Sequence, residues 1–377
     1  MRGKVKKMMR EIANLTQPSS PRETLDSAKL DFGKMFTPNF FVSEYRKGEW
    51  TAPRIQPVEP FSLHPAANVF HYAQTVFEGL KAFRHADGQI VLFRPEMNAA
   101  RFRHSAARLA IPQIDEAFFL QAVRALVENE RHWVPGEPGC LYVRPTVMGV
   151  EPSLGVKASN EYIFFVLTLP SGSYFKGMAK GPGSVDVLVS TSVNRAGHGG
   201  TGSVKAGANY AGTLEITERA KTLGCSQVLF LNEGHIDEMG GMNVMFVQNG
   251  RLRTPPLTDT ILQGVTRDSI LTIAKDLGME TSEAPIALDD IVAGVKDGSV
   301  TDMIACGTAA VIVGIRALLF EDGTKLQIPG AVPGRVTTSL YDALVNIQYG
   351  RSPDRHGWLQ RVCRADAAEP ARQSAVR

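Results

Sequence analysis

Residues 190–220 read STSVNRAGHGGTGSVKAGANYAGTLEITERA, and what they form decides the fold. Gly197 to Gly202, GHGGTG, fits the G-x-G-x-x-G pattern of a dinucleotide-binding fold, and a strand-like run, VDVLVSTSV (185–193), precedes it. That fold needs a helix starting at the last glycine, then a second strand, then an acid at its end about 20 residues on. Here Lys205, Gly207 and Ala208 interrupt the helix start. Glu215 and Glu218 lie inside the next amphipathic helix, and no strand intervenes. The dinucleotide reading is discarded. What remains is a single lysine, Lys205, among glycines, alanines and small polar residues. Small neighbours let a planar ligand approach the backbone, and a partly desolvated amine there can form a Schiff base. A solvated loop lysine is the plainer reading.

Upstream, QIVLF (89–93), CLYVRPTVM (140–148) and EYIFFVLTL (161–169) are rich in β-branched and aromatic residues and read as strands. Between them, residues 115–133 place Phe119, Val123, Leu126 and Val127 on one helical face. The stretch 170–184, PSGSYFKGMAKGPGS, is dense in Gly, Pro and Ser, as a connection between domains would be. Downstream come a helix around 210–223, strands near 226–231 and 244–248, a helix at 266–278, a strand before ACGTAAVIV (305–313) and a last helix at about 336–347. The expected class is α/β or α+β, in two domains. A basic disordered extension covers 1–28, a small α/β domain 29–173, a linker 174–184, a large domain 185–350 and a mobile tail 351–377. Small-molecule sites favour the cleft between two such domains.

Composition narrows the classes. Apolar residues make up 44% and charged ones 21% of 377 residues, ordinary for a globular chain. The longest apolar stretch, Met303 to Ile315, is too short for the roughly 18 residues of a membrane span. Net charge is +3. Five positive charges lie in the first ten residues, which hold no acid, so the other 367 carry −2. No nucleic-acid partner is expected of such a body. Cys140, Cys225, Cys306 and Cys363 lie at least 57 residues apart, without metal spacing. They read as reduced thiols of a cytoplasmic protein, and no metal is expected.

Several segments carry chemistry-bearing residues. In IDEMGGMN (236–243), Glu238 precedes a Gly-Gly turn. It is either a surface acid or, given Ile236, Met239 and Met242, a buried anion able to keep the ring nitrogen of pyridoxal phosphate protonated. LQGVTRDS (262–269) runs from a glycine turn into a helix, with Thr266 near its start; it suits either a phosphate or plain capping. ACGTAA (305–310) is a second small-residue turn, with the Thr308 hydroxyl and backbone donors for an anion. In LYVRP (141–145), Arg144 interrupts an apolar strand and either faces solvent or awaits an anion.

Taken in order, with YAQTVFEGLKAF (72–83) and NAARFRHSAARL (98–109), these segments resemble the branched-chain amino acid aminotransferases, fold-type IV pyridoxal-phosphate enzymes related to the D-amino acid aminotransferase fold. The resemblance spans Phe32, in DFGKMFT, to His356, in HGWL. It implies that the large domain binds pyridoxal 5'-phosphate. Lys205 would form the imine with it and shuttle the proton. Tyr210 would meet its phenolic oxygen, and Glu238 its ring nitrogen. Arg101, Val265, Thr266 and Thr308 would hold its phosphate. Thr308, Ala309 and Tyr142 would take the substrate α-carboxylate. Phe32, Tyr72, Phe77, Tyr142, Tyr174 and Gly241 would line the substrate pocket. Arg144, with the Tyr72 hydroxyl near it, would meet the distal carboxylate of glutamate. The implied reaction is ping-pong transfer of the amino group of L-leucine, L-isoleucine or L-valine to 2-oxoglutarate, by a cytoplasmic homodimer without membrane partners.

Two departures stand out. Ala310 and Val313 occupy the positions of a redox C-x-x-C found in mammalian members, and GANY (207–210) replaces the GGNY of many bacterial ones. The competing readings are a relative acting on D-amino acids or on aminodeoxychorismate, and a silent scaffold; intact Lys205, Tyr210 and Glu238 argue against the scaffold.

Overall fold

A computed structural model of the chain describes residues 25–27, 30–172, 181–330 and 332–365. Most of the basic extension, Tyr174, most of the linker and residues 366–377 lie outside the described residues.

The first sheet begins with β1 (Asn39–Arg46), β2 (Glu49–Trp50) and β3 (Arg54–Pro57). It continues with β4 (Thr75–Phe77), β5 (Leu80–Arg84), β6 (Gln89–Phe93), β7 (Cys140–Gly149) and β8 (Tyr162–Ser171). The pair β7–β8 is its backbone, antiparallel from Cys140↔Ser171 to Gly149↔Tyr162. Helix α1 (Asn68–Tyr72) is a short turn before β4. Helices α2 (Pro95–Arg108) and α3 (Glu116–Asn129) cover one face. Asp115 caps α3 by accepting from the backbone N–H of Ala117 and Phe118. The face expected from residues 115–133 is the buried one: Phe119, Val123, Leu126 and Val127 pack with Phe102 and Phe164.

The second sheet comprises β9 (Ser184–Ser190), β10 (Gln227–Asn232), β11 (His235–Met239), β12 (Met242–Gln248), β13 (Arg251–Thr254), β14 (Thr281–Glu283), β15 (Val300–Gly307), β16 (Val311–Leu319) and β17 (Lys325–Gln327). Six of these close into a barrel in the order β11-β10-β9-β16-β15-β12, because β11 also pairs with β12. A barrel this narrow is filled by side chains. Val187, Val189, Leu229, Val244, Phe246, Ala305 and Val313 belong to its core. A single turn, α4 (Ala208–Ala211), and α5 (Leu214–Thr222) follow the Lys205 loop. Helices α6 (Val265–Asp276), α7 (Leu288–Asp297) and α8 (Arg335–Gln348) complete the unit.

Residues 351–365 correct the expectation of a mobile tail beginning at 351. Leu359–Arg364 form β18, which pairs with β6 at the edge of the first sheet from Leu359↔Phe93 to Arg364↔Gln89. Trp358 inserts beside Phe93 into a core shared by β5, β6, α6, α8 and the outer face of the barrel. That shared core joins the two sheets. The site lies along the same junction.

Candidate active site

The loop carrying Lys205 is bonded to the first sheet. The N–H of Phe77 donates to the Lys205 carbonyl at 3.1 Å, and that of Gly207 donates to the Thr75 carbonyl at 3.1 Å. The Lys205 N–H itself donates to Ser105 Oγ on α2 at 3.0 Å. Two segments, β4 and α2, therefore fix its backbone. The Lys205 Nζ donates to Tyr210 Oη at 3.1 Å and stands 5.0 Å from the centre of the Phe77 ring. The amine is held over an aromatic floor, with a phenol as its polar partner.

Glu238 ends up in the barrel wall, only 2% exposed. One carboxylate oxygen accepts from the Leu262 N–H at 2.6 Å and from Asn243 Nδ2 at 3.2 Å. Its other oxygen lies 3.1 Å from Arg195 Nε. Burial pushes the carboxyl up to about 7, against the lowering pull of Arg195 and of the Leu262 N–H. Of the two readings the sequence allowed, the buried one is the geometry found. Arg195 and Asn243 escaped notice: Asn243 stands directly opposite Glu238 across the Gly-Gly hairpin, whereas nothing local pairs Arg195, 43 residues upstream, with position 238.

Arg101 anchors the anion side. Its Nε and Nη2 grip both oxygens of Glu78 at 2.6 and 2.8 Å, and Nη1 donates to the Gln263 carbonyl at 2.8 Å. Burial alone would raise the Glu78 carboxyl; Arg101, Lys205 and Asn98 hold it below its ordinary range instead. Glu78 was also missed, although an acid inside VFEGL is the same signal that singled out Arg144. Gln263 leads into α6, whose first turn has no side-chain cap and presents Val265 and Thr266 to the cleft. Uncapped N–H groups and the helix dipole favour an anion there. Gly264, just before, is held glycine by contact: a Cβ would stand 1.9 Å from Asn243 Oδ1.

A cleft of about 500 Å³ joins Lys205, Arg101 and the start of α6, and on the barrel side it is lined by Arg195, Asn243 and Leu262, the partners of Glu238, with Glu238 itself buried behind them. Phe32, Phe77, Tyr142, Arg144, Gly241, Thr308 and Ala309 line it together with Lys205, Tyr210, Arg101, Val265 and Thr266. Phe32 meets Tyr142 edge-on at 4.9 Å. Arg144 stacks over Phe77 at 4.6 Å and donates to Tyr142 Oη at 3.0 Å. The partner of Arg144 is thus Tyr142, not Tyr72 as expected. Tyr72 is absent from the lining; at the end of α1 its hydroxyl donates to the carbonyl of Leu154. Gly79 makes room for Tyr142, since a Cβ would meet its hydroxyl at 2.1 Å.

A primary amine, a buried carboxylate and an uncapped helix start beside an arginine match the three reactive faces of pyridoxal phosphate: aldehyde, ring nitrogen and phosphate. The residues present fit that group.

Comparison with known proteins gives the same direction. Residues 75–318 match the family model described as amino-transferase class IV. The branched-chain-amino-acid aminotransferase of Mycolicibacterium smegmatis is 43% identical over 345 residues, covering 89% of this chain and 93% of that protein. Branched-chain-amino-acid aminotransferase 2 of Bacillus subtilis is 40% identical over 360 residues, covering 94% and 98%. Among solved structures, the Escherichia coli branched-chain amino acid aminotransferase superposes with a TM-score of 0.72 at 26% identity, covering 89% of this chain and all of that one. The enzyme of Thermobaculum terrenum in its PLP form gives 0.71 at 25%, covering 87% and 100%.

Proposed function

The chain belongs to the branched-chain amino acid aminotransferase family, and from that footing we propose that it transfers the amino group of L-leucine, L-isoleucine or L-valine to 2-oxoglutarate, yielding the branched-chain 2-oxo acid and L-glutamate, and runs the reverse. Pyridoxal phosphate supplies the electron sink that makes the substrate Cα–H acidic. The Lys205 Nζ would take that proton from Cα and deliver it to the cofactor C4′, with the Tyr210 hydroxyl orienting the amine. Glu238 faces the ring nitrogen, with Arg195 and the Leu262 N–H favouring its ionised form. Arg101, Val265, Thr266 and Thr308 hold the phosphate, and Glu78 orients Arg101. Backbone donors at Thr308 and Ala309, with Tyr142, receive the α-carboxylate.

The observation that carries the substrate assignment is one wall serving two side-chain types. Phe32, Phe77 and Tyr142 offer apolar surface to a branched side chain, which gains by leaving water. Arg144 lies flat on that wall, within reach of a second carboxylate. A cytoplasmic homodimer completes the reading; the buried thiols Cys140, Cys225 and Cys306 accord with a reducing compartment.

The test is the visible spectrum of the purified protein loaded with pyridoxal phosphate. A yellow band that bleaches with L-leucine and returns with 2-oxoglutarate supports both half-reactions, and Lys205→Ala should abolish the cycle. A band that ignores leucine, isoleucine and valine but answers D-alanine would overturn the assignment.

A further inference from the structure

Lys81 is a buried cation for which the proposed reaction has no use. It sits on β5, 7% exposed, and its Nζ donates at 2.9 Å to the carbonyl of Ala309, 228 residues away in the turn between β15 and β16. Burial pushes its ammonium below the ordinary lysine range, against the opposing pull of the Cys140 thiol; among the described residues no carboxylate balances it. Isolated buried charges are costly and rare, so one retained at a domain junction calls for an anion or a structural duty.

Geometry indicates which. Lys81 borders a cavity of about 20 Å³, room for one water, together with Asn98, Thr266, Gly307 and Thr308. Ala309 and Ala310 line the large cleft and not this small cavity, whereas Lys81 lines the small cavity and not the cleft. Lys81 therefore approaches the turn from behind. In a trans peptide the C=O and the following N–H point in opposite directions. Holding the Ala309 carbonyl toward β5 aims the Ala310 N–H the other way, into the cleft. Among the described residues, the N–H groups of Thr308, Ala309 and Ala310 make no hydrogen bond.

We propose that Lys81 is a positioning residue for the substrate carboxylate: it locks the Ala309–Ala310 peptide from the rear, turns the Ala310 N–H toward the cleft, and lends the turn a positive field. Lys81 thereby sets the preference of this turn for a carboxylate over a neutral group. The inference rests on the aminotransferase reading above, and the two are separable by experiment. Wild-type holoenzyme is first shown to bleach with L-leucine, which tests the reading itself. Affinity is then measured by calorimetry for 4-methylpentanoate, which is leucine without its amine, and for the neutral 4-methylpentanamide, in wild type, Lys81→Met and Lys81→Arg.

Lys81→Met is expected to weaken the carboxylate about tenfold or more while leaving the amide within about twofold, and Lys81→Arg to keep most of the preference. The KM for L-leucine should rise by more than kcat falls in Lys81→Met. Equal weakening of both ligands, or an unchanged preference for the carboxylate, would overturn the proposal. Should Lys81→Met fail to fold, Lys81→Gln, which keeps a polar head without charge, takes its place with the same expected loss of preference.

Discussion

Glu238 shows how a single side chain's surroundings set a measurable property of the whole protein. Its carboxyl, ordinarily near 4.5, is pushed up to about 7 by burial. Between those values the folded protein keeps a proton that the unfolded chain has already released. The sign follows: this group's contribution to stability is complete at low pH and is lost as pH rises from about 4.5 through 7. Cofactor-free wild type should therefore lose thermal stability relative to Glu238→Gln across that window. Parallel melting-temperature curves from pH 4.5 to 7.5 would show that position 238 titrates as an ordinary exposed acid. Residue-scale reading of the sequence was strongest where an unusual residue type stood in an unusual place. Lys205 among small residues and Arg144 on an apolar strand both announce themselves. Glu78, Arg195 and Asn243 carry as much of the site's geometry, yet their meaning depends on partners 23, 43 and 5 residues away.

At the scale of elements, the strands β6, β7 and β8 and the helices α3, α6 and α8 lie where periodicity and composition put them, within a few residues at each end. These elements bury one continuous face, and burial writes a pattern. The strands β1 and β5 are buried as continuously as β6 and were legible by the same rule, whereas β2, β3 and β4 are short and β18 is half-buried. In β18, Leu359, Gln360, Val362 and Cys363 are only half-buried while Arg361 and Arg364 face out, so alternation is weak and pairing with β6 alone defines the strand. Its anchor is Trp358, 8% exposed, edge-on to Phe93 at 5.6 Å, under Arg94 and stacked on His356. Trp358→Ala should cost about 3–5 kcal/mol, read as a lower denaturation midpoint at unchanged slope. A loss below about 0.5 kcal/mol, the range of surface changes, would mean that β18 contributes nothing to the junction.

The whole molecule is two sheets joined along one seam, and the site lies in that seam. The Lys205 loop belongs to the barrel unit but bonds to β4, Arg101 of α2 reaches Gln263 beside the barrel, and Lys81 reaches Ala309. A ligand held by both sides adds its binding energy to the folded state as RT ln(1 + [L]/Kd). Removing pyridoxal phosphate should lower the unfolding temperature of the entire protein. At ligand near 1,000 times Kd the stabilisation lost is about 4 kcal/mol. A melt in which the holoprotein and cofactor-free protein coincide would mean that the cofactor does not bind the folded protein in preference to the unfolded chain.

Sequence by itself determined the chemistry-bearing loops, the family resemblance and the rejection of a dinucleotide fold, because each rests on residues close together along the chain. Local order is written in neighbouring side chains and needs no tertiary partner. Only the tertiary structure decided which buried charges meet: Arg101 with Glu78, Arg195 with Glu238, and Lys81 with the Ala309 carbonyl. Within one chain it also seats the Tyr72 hydroxyl on the Leu154 carbonyl, gives Arg144 the Tyr142 hydroxyl, and places β18 in the first sheet. Such pairings form when distant segments are brought together by burial of the cores between them. Their geometry is a property of that closure, which no local run of residues encodes.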